Sequence, residues 1–428
     1  MIYTVNNCIR AFGYTSFDRL VEDMGSVDNL KAYVIANGYA DIVVAEDTEL
    51  LLVDVNGKTW HTGCYGAVIE PEVEPDYLCF TSTGDSIVAM TQKGTPNTSA
   101  GKVIQYKLND GQWQTWDLST VKLHDGDKMY LKSDDEIPVS ETSDIYKRFI
   151  MSGSIAASGN IMSLLNFSDT LTPYAFYYLF KGTLQTVVLT QAPALPATTL
   201  AESCYSFMFA WCASLTTAPE LPATTLAESC YTGMFYGCTS LVNAPALPAT
   251  TLSVTCYNSM FNGCRSLTQA PKLPATTLSV SCYGYMFSGC TSLTTGPELP
   301  ATTLALGCYT QMFSGCTSLT TAPELPATTL AKSCYDNMFV GCTSLTTAPE
   351  LPATTLAINC YNTMFFGCKK LNSITMLATD ISAADCLHNW VNDVASTGTF
   401  TKAASMTSLP TGASGIPTGW TVVDYIAA

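Results

Sequence analysis

Charged side chains and long apolar runs are both scarce in this sequence. Only 13% of its 428 residues are Asp, Glu, Lys or Arg, while 47% are hydrophobic, a balance that excludes a wholly disordered chain. No apolar run reaches the length of about 18 residues that a membrane-spanning helix needs, so no membrane insertion is expected. The first residues of the chain lack the basic and apolar regions of a secretory signal, so none is expected.

Basic residues are too few and too dispersed for a nucleic-acid partner. The net charge is −16, and residues 1–150 carry 23 acidic against 12 basic side chains. Residues 195–376 carry only 7 acidic and 5 basic side chains. Without a basic stripe, we expect no binding to nucleic acid or to an anionic membrane.

Residues suited to catalysis or metal binding are equally sparse. The three histidines, His61, His124 and His388, lie in different regions, and no phosphate-binding loop or nucleophile elbow occurs. We therefore expect no enzyme, no cofactor, and no catalytic or metal-binding residues. The run Asp134-Asp135-Glu136 is a candidate for calcium, although a solvated acidic turn is the favoured interpretation.

What the sequence does contain is an internal repeat. A fixed period predicts stacked units, none of which buries its apolar face alone. The motif LPATTL occurs seven times at intervals of 26 residues, beginning at Leu195, Leu221, Leu247, Leu273, Leu299, Leu325 and Leu351.

Each unit is expected to contain two kinds of local structure. In the unit that begins at Leu241, the segment up to Leu247 and its following proline predicts a short β-strand. The stretch C-Y-x-x-M-F has apolar residues at positions i, i+4 and i+5, which predicts a short helical or 3₁₀ turn on the opposite side. The glycine before the second cysteine, such as Gly263, is expected to end that turn. Adjacent units should lie about 4.8 Å apart, the spacing of strands in a sheet.

The motif M-F-x-G-C-x-S-L, present at Met286–Leu293 and Met312–Leu319, links the repeat to a known family. It resembles the BspA-like leucine-rich repeats of surface proteins from anaerobic bacteria. The resemblance covers about half of the chain. It implies a leucine-rich-repeat fold and a binding or adhesion role, in Bacteroidales or in their phages.

The chain is expected to be multidomain, with a small α/β N-terminal unit, a β-sandwich and a leucine-rich-repeat solenoid of 26-residue units. Helix starts at Ser16 and Ser26 and strands at 42–45 and 50–55 predict the α/β unit. Frequent turns between alternating segments predict the sandwich. The expected ranges are 1–64 for the α/β unit, 65–76 for an acidic linker, 77–149 for the sandwich, 150–188 for an N-terminal cap, 189–394 for the repeats and 395–428 for a C-terminal cap.

Fourteen of the 18 cysteines occupy two fixed positions of the repeat, eight residues apart. A metal site is disfavoured because the sequence contains no C-x-x-C pair. We expect reduced thiols that pack as small hydrophobic side chains. Disulfides are the alternative if the protein matures outside the cell.

Variation among the copies predicts a candidate binding surface. Most positions are nearly constant, whereas the pair after Cys-Tyr and the pair after Met-Phe vary. Residues that change freely between stacked copies should lie outside the shared core, where they form a neutral strip suited to a glycan or a protein. Drift of unconstrained surface residues is the alternative. The candidate ligand-contact residues are Phe207, Trp211, Thr232, Tyr236, Asn258, Asn262, Tyr285, Gln311, Asp336, Asn337, Asn362 and Phe366.

Two non-enzymatic functions fit these features. The first is a virion or fibre protein of a phage, in which residues 1–64 bind other virion proteins and the repeats contact a host-surface protein or glycan. The absence of a secretory signal and the three-part plan favour it. The second is an exported bacterial cell-surface adhesin, which the BspA-like repeats favour. A homo-oligomer is compatible with both.

Overall fold

The computed structural model describes the strands at 41–44, 50–53 and 59–62, and then residues 75–95, 102–182, 188–407 and 409–426. The chain divides into two compact units, residues 1–75 and 76–428. Among the described residues, no helix is long and apolar enough to cross a membrane.

The first unit contains an antiparallel sheet of three short strands. These are β1 (Asp41–Val44), β2 (Leu50–Val53) and β3 (Thr59–Thr62), in the order β1-β2-β3. Strands are thus present at both predicted positions. The predicted helices that start at Ser16 and Ser26 lie outside the described residues, as does most of the expected linker.

The second unit begins with two sheets that pack against each other. One has the strand order β10-β5-β8 and the other β12-β11-β4-β9-β6-β7. Phe80 of the second sheet meets Phe149 of the first edge to face, with ring centroids 4.9 Å apart. The strands are β4 (Leu78–Ser82), β5 (Ser86–Lys93), β6 (Gln105–Leu108), β7 (Gln114–Thr115), β8 (Val121–Leu123), β9 (Lys128–Lys132), β10 (Tyr146–Ser152), β11 (Ile155–Ser158) and β12 (Leu189–Gln191).

The larger sheet continues into the repeats. Strand β10 runs across the boundary expected at residue 149, and β11 pairs in parallel with β12, the extended segment of the first repeat. Asn160 then bridges Ala194 and also caps the 3₁₀ helix Ile161–Leu165. The sheets and the repeats therefore share one hydrophobic core.

The extended segments of the regular repeats are not continuous strands, and this part of the prediction is wrong. Adjacent units meet there in isolated parallel bridges, such as Thr217 with Asn243. The reason is that two prolines of each unit, for example Pro219 and Pro222, have no N–H to donate to a strand ladder.

The last unit supports this explanation. Thr375 and Ala378 stand where the preceding unit carries prolines, and a strand, β13 (Ser373–Met376), forms there. Strand β13 pairs in parallel with β14 (Thr399–Lys402), which pairs with β15 (Thr421–Asp424). These three strands form the sheet at the C-terminal end of the repeats.

The C-Y-x-x-M-F stretch is a series of turns, and the predicted helical turn is absent from the described repeats. In the segment from Ser229 to Cys238, which we call the turn segment, Ser229, Gly233 and Gly237 have φ of 53°, 57° and 71°. A left-handed residue at every fourth position breaks a right-handed helix. The equivalent segments of the other units have the same pattern.

Stacked rings fill the core behind the turn segments. Equivalent tyrosines and phenylalanines of adjacent regular units are nearly parallel, with centroids 5.6 to 6.0 Å apart. At this spacing the rings of successive units are in stacking contact. Each unit therefore needs the rings of its neighbours to complete its core.

Replacing Phe287 by Ala should lower the free energy of unfolding by about 3–5 kcal/mol, because it leaves a cavity between two rings. Phe261 and Phe313 lie 5.7 and 5.8 Å away on either side. Denaturant unfolding followed by circular dichroism measures the loss. The control is Ser288→Ala at the neighbouring half-buried position, expected to cost less than about 0.5 kcal/mol. Equal losses in the two variants would contradict the role of the stacked rings.

Candidate functional site

The hydrogen bonds of the turn segment alternate in direction. The N–H groups of Thr232 and Tyr236 donate to carbonyls three residues back in the same unit, over 3.1 and 2.9 Å. The N–H groups of Tyr231 and Gly237 instead donate to the next unit, over 3.0 and 2.7 Å. The alternation satisfies the buried backbone groups and ties each unit to its neighbour.

The left-handed residue at every fourth position of the turn segment determines which side chains reach the surface. Cys230-Tyr231 and Met234-Phe235 are buried, while Thr232 and Tyr236, which directly follow these pairs, are half-buried. Most members of the two variable pairs therefore occupy outward positions of the turn segment, whereas Ser206 and Ala210 of the first unit are buried.

All twelve candidate residues lie on this outer side. Eleven are half-buried, and Phe366 is 37% exposed. Neighbouring pairs are joined through the backbone, since the N–H of Gly233 donates to Asn258 and that of Ser259 donates to Gly284, both over 2.8 Å. The structure thus brings the sequence-predicted positions side by side. Whether they bind a ligand stays a prediction.

Several of these side chains are held by the adjacent unit. The amide of Gln311 donates to the hydroxyl of Tyr285 over 3.0 Å, and the hydroxyl of Thr232 donates to the carbonyl of Thr255 over 2.6 Å. Asp336 is the one charged member of the strip, and burial raises the pKa of its carboxyl group. The strip is consequently an ordered surface with little charge.

One coil that extends this surface lies within residues 150–188, the range predicted as an N-terminal cap. Phe176 and Phe180 stack on Tyr205 and Phe209, at 5.8 and 5.3 Å, so their coil precedes the first regular turn segment. Tyr178 then lies beside Phe207 with centroids 5.4 Å apart. The sequence signal for this coil was the aromatic run at 174–180. It was obscured because the run lies three residues out of register with the 26-residue period.

The second cysteine of each unit acts as a hydrogen-bond donor inside the core. The thiol of Cys238 donates to the carbonyl of Phe209 over 3.1 Å, and equivalent bonds recur through Cys368. Burial raises the pKa of Cys212, Cys316 and Cys368 to about 12. The protonated thiol is therefore the form that this core accommodates.

The cysteines of the repeats are also unpaired. All 16 cysteines of the described segments are free and buried.

The acidic run singled out in the sequence is bound by lysines. The ammonium group of Lys102 lies 2.9 Å from Asp135, and that of Lys132 lies 2.9 Å from Asp134. Exposed His124 lies 3.0 Å from Asp85, whose hydrogen bond and charge raise the pKa of the imidazole. In the described part of the chain, no three His, Cys, Asp or Glu residues are grouped to hold a metal.

The repeat region matches a known family. Residues 202–296 and 283–383 match the BspA type leucine rich repeat region, in six copies. The repeat block is a BspA-type leucine-rich repeat region. BspA-type repeats commonly serve in surface adhesion or protein interaction and are generally not enzymes. No curated protein and no solved structure matches the chain.

Native repeats should resist thiol alkylation. The thiolate is the reactive form, and buried thiols with a raised pKa present little of it at pH 8. Iodoacetamide treatment followed by peptide mass spectrometry is expected to leave Cys238, Cys264 and Cys290 unmodified, while the same treatment in denaturant modifies all three. Modification at similar rates in both conditions would show that the thiols are not enclosed.

The stability of the repeats should fall steeply above pH 9. An unfolded cysteine ionises near pKa 9.0, whereas the folded thiol of Cys316 has a pKa of about 12. The stabilising difference is complete below pH 9 and is lost as the pH rises toward 12, at about 1 kcal/mol per thiol between pH 9 and 10. Guanidinium midpoints at several pH values measure this loss. Combined Cys→Ala changes at 264, 290 and 316 should flatten the profile, and an identical profile would refute the explanation.

Proposed function

We propose that this protein is a non-enzymatic binding protein whose variable strip contacts a protein or glycan on a host surface. The observation that supports it is the placement of the varying positions of near-identical BspA-type units next to each other on the outer side of the turn segments. A recognition surface needs varied side chains on a constant frame, and the repeats provide both. The proposal includes one continuous solenoid, which the bonds between successive units support.

The chemistry of the strip favours a neutral ligand. It contains amides, hydroxyls and aromatic rings, with Asp336 as its one charged side chain. Aromatic residues such as Trp211 and Tyr236 are enriched where proteins recognise partners, and charged residues are depleted there. The twelve residues of the strip include no cation that could pair with a polyanion.

We propose that this protein is part of a phage virion. Residues 1–64 would bind other virion proteins, and the host would be a Bacteroidales cell. The division of the chain into two compact units supports this proposal, because the first unit is then available for attachment. The alternative is an exported bacterial adhesin, which the common surface role of BspA-type repeats favours. Mass spectrometry of purified phage particles distinguishes them, since an adhesin would be found in cell-surface fractions without phage.

Changing Trp211, Tyr236 and Phe366 together to Ala should abolish binding to host cells, because it removes three of the large aromatic side chains of the strip. Flow cytometry of the fluorescently labelled full chain on a panel of Bacteroidales strains measures binding. The control changes Thr268, Thr294 and Thr320 to Ala, since these exposed residues follow the leading leucines of three successive units. Unchanged binding by the aromatic variant would rule out the strip as the contact surface.

A further inference from the structure

Four large aromatic residues with left-handed backbone conformation lie at one end of the strip, and Tyr285 in a later unit shares this conformation. Tyr174, Tyr178, Phe207 and Trp211 have φ of 60°, 59°, 53° and 60°. Bulky side chains rarely adopt this conformation, and such strain is found mainly where function requires it. All four residues belong to two adjacent coils.

The position of Trp211 shows that a simpler residue suffices for the fold. Every later regular unit has glycine at this place, with φ between 69° and 75°. Glycine adopts this conformation without a steric cost. The tryptophan is therefore not required by the turn. The later glycines are Gly237, Gly263, Gly289, Gly315, Gly341 and Gly367.

The next coil is shaped to receive these rings. A Cβ atom added to Gly233 would come within 2.2 Å of the ring of Phe207, and one added to Gly237 would come within 2.6 Å of the ring of Trp211. Both rings therefore lie against bare backbone and remain half-buried. The fold does not require glycine at position 233, because the equivalent residue of the following unit is Ser259.

Five half-buried aromatic residues at this end form a surface, which we call the aromatic platform: Tyr174, Tyr178, Phe207, Trp211 and Tyr236. Tyr178 and Phe207 have centroids 5.4 Å apart, and Trp211 and Tyr236 have centroids 5.2 Å apart. The ammonium of Lys181 links the two pairs, 3.8 Å from the Tyr178 ring and 5.0 Å from the Trp211 ring.

Hydrogen-bonding groups of both kinds border the platform. The hydroxyl of Tyr174 donates to the carboxylate of exposed Glu202 over 3.2 Å. This carboxylate accepts hydrogen bonds, and the ammonium of Lys181 donates them. A ligand at this place thus meets flat apolar rings with a donor and an acceptor near their edges.

We propose that the aromatic platform binds a glycan by stacking a sugar ring on its aromatic rings, while Lys181 and Glu202 hydrogen-bond to the sugar hydroxyls. A sugar ring combines an apolar C–H face with hydroxyls at its rim, which matches this arrangement. A protein partner fits less well, because aromatic hot spots insert into pockets of the partner, whereas Phe207 and Trp211 already lie against Gly233 and Gly237 of this chain. The inference rests on the proposed function and specifies the class of ligand.

The test uses the full chain on a printed array of oligosaccharides. The platform variant combines Phe207→Asn, Trp211→Gly and Tyr236→Ser, residues that this chain carries at the same positions in other units, as at Asn337, Gly263 and Ser288. These changes suit the local backbone, and circular dichroism verifies the fold. The control combines Thr268→Ala, Thr294→Ala and Thr320→Ala, exposed residues that lie outside the strip.

We expect the unchanged chain to bind one class of glycan, the platform variant to lose about thirtyfold or more in affinity, and the control to retain it. Full glycan binding by the platform variant would overturn the proposal. Host-cell binding could persist after periodate oxidation of the cell-surface sugars and be lost after protease treatment. That result would show that the ligand is a protein, which overturns the glycan proposal but is compatible with the proposed function. Absence of any cell binding would count against both.

Discussion

Every second backbone N–H of the turn segment donates to the neighbouring coil, and the other features of the repeat depend on this alternation. It requires a left-handed residue at every fourth position, which Ser229, Gly233 and Gly237 provide. It also turns two residues inward and the next two outward. The same bonds that join the coils therefore separate the constant core from the variable surface.

The constant side of each unit is conserved from copy to copy by contact with its neighbours. Tyr257 and Phe261 stack on the same residue types of the next unit, and the thiol of Cys264 donates to a carbonyl of the preceding one. A change in one copy disturbs two interfaces, which explains why these positions scarcely vary. The outward positions contact the neighbouring coils less, so different side chains fit there.

The departures of the structure from the sequence predictions have local causes. The i, i+4 and i+5 spacing that suggested a helical turn arises equally from a four-residue rhythm of turns, and spacing alone does not distinguish them. The strands predicted for the regular units are reduced to bridges because Pro219 and its equivalents lack an N–H. The coil at 174–180 was obscured because Phe176 lies 29 residues before its stacking partner Tyr205, not 26.

The sequence by itself determined the period of 26 residues, the family of the repeat at 202–383 and which positions vary between copies. The period and the varying positions follow from comparing copies of one unit, and the family follows from the sequence match of the repeats. Only the tertiary structure decided that Phe207 and Trp211 lie on Gly233 and Gly237 beside Tyr178. These side-chain contacts join residues 26 or 29 positions apart, and the handedness of each turn, which no spacing reveals, sets where the side chains meet.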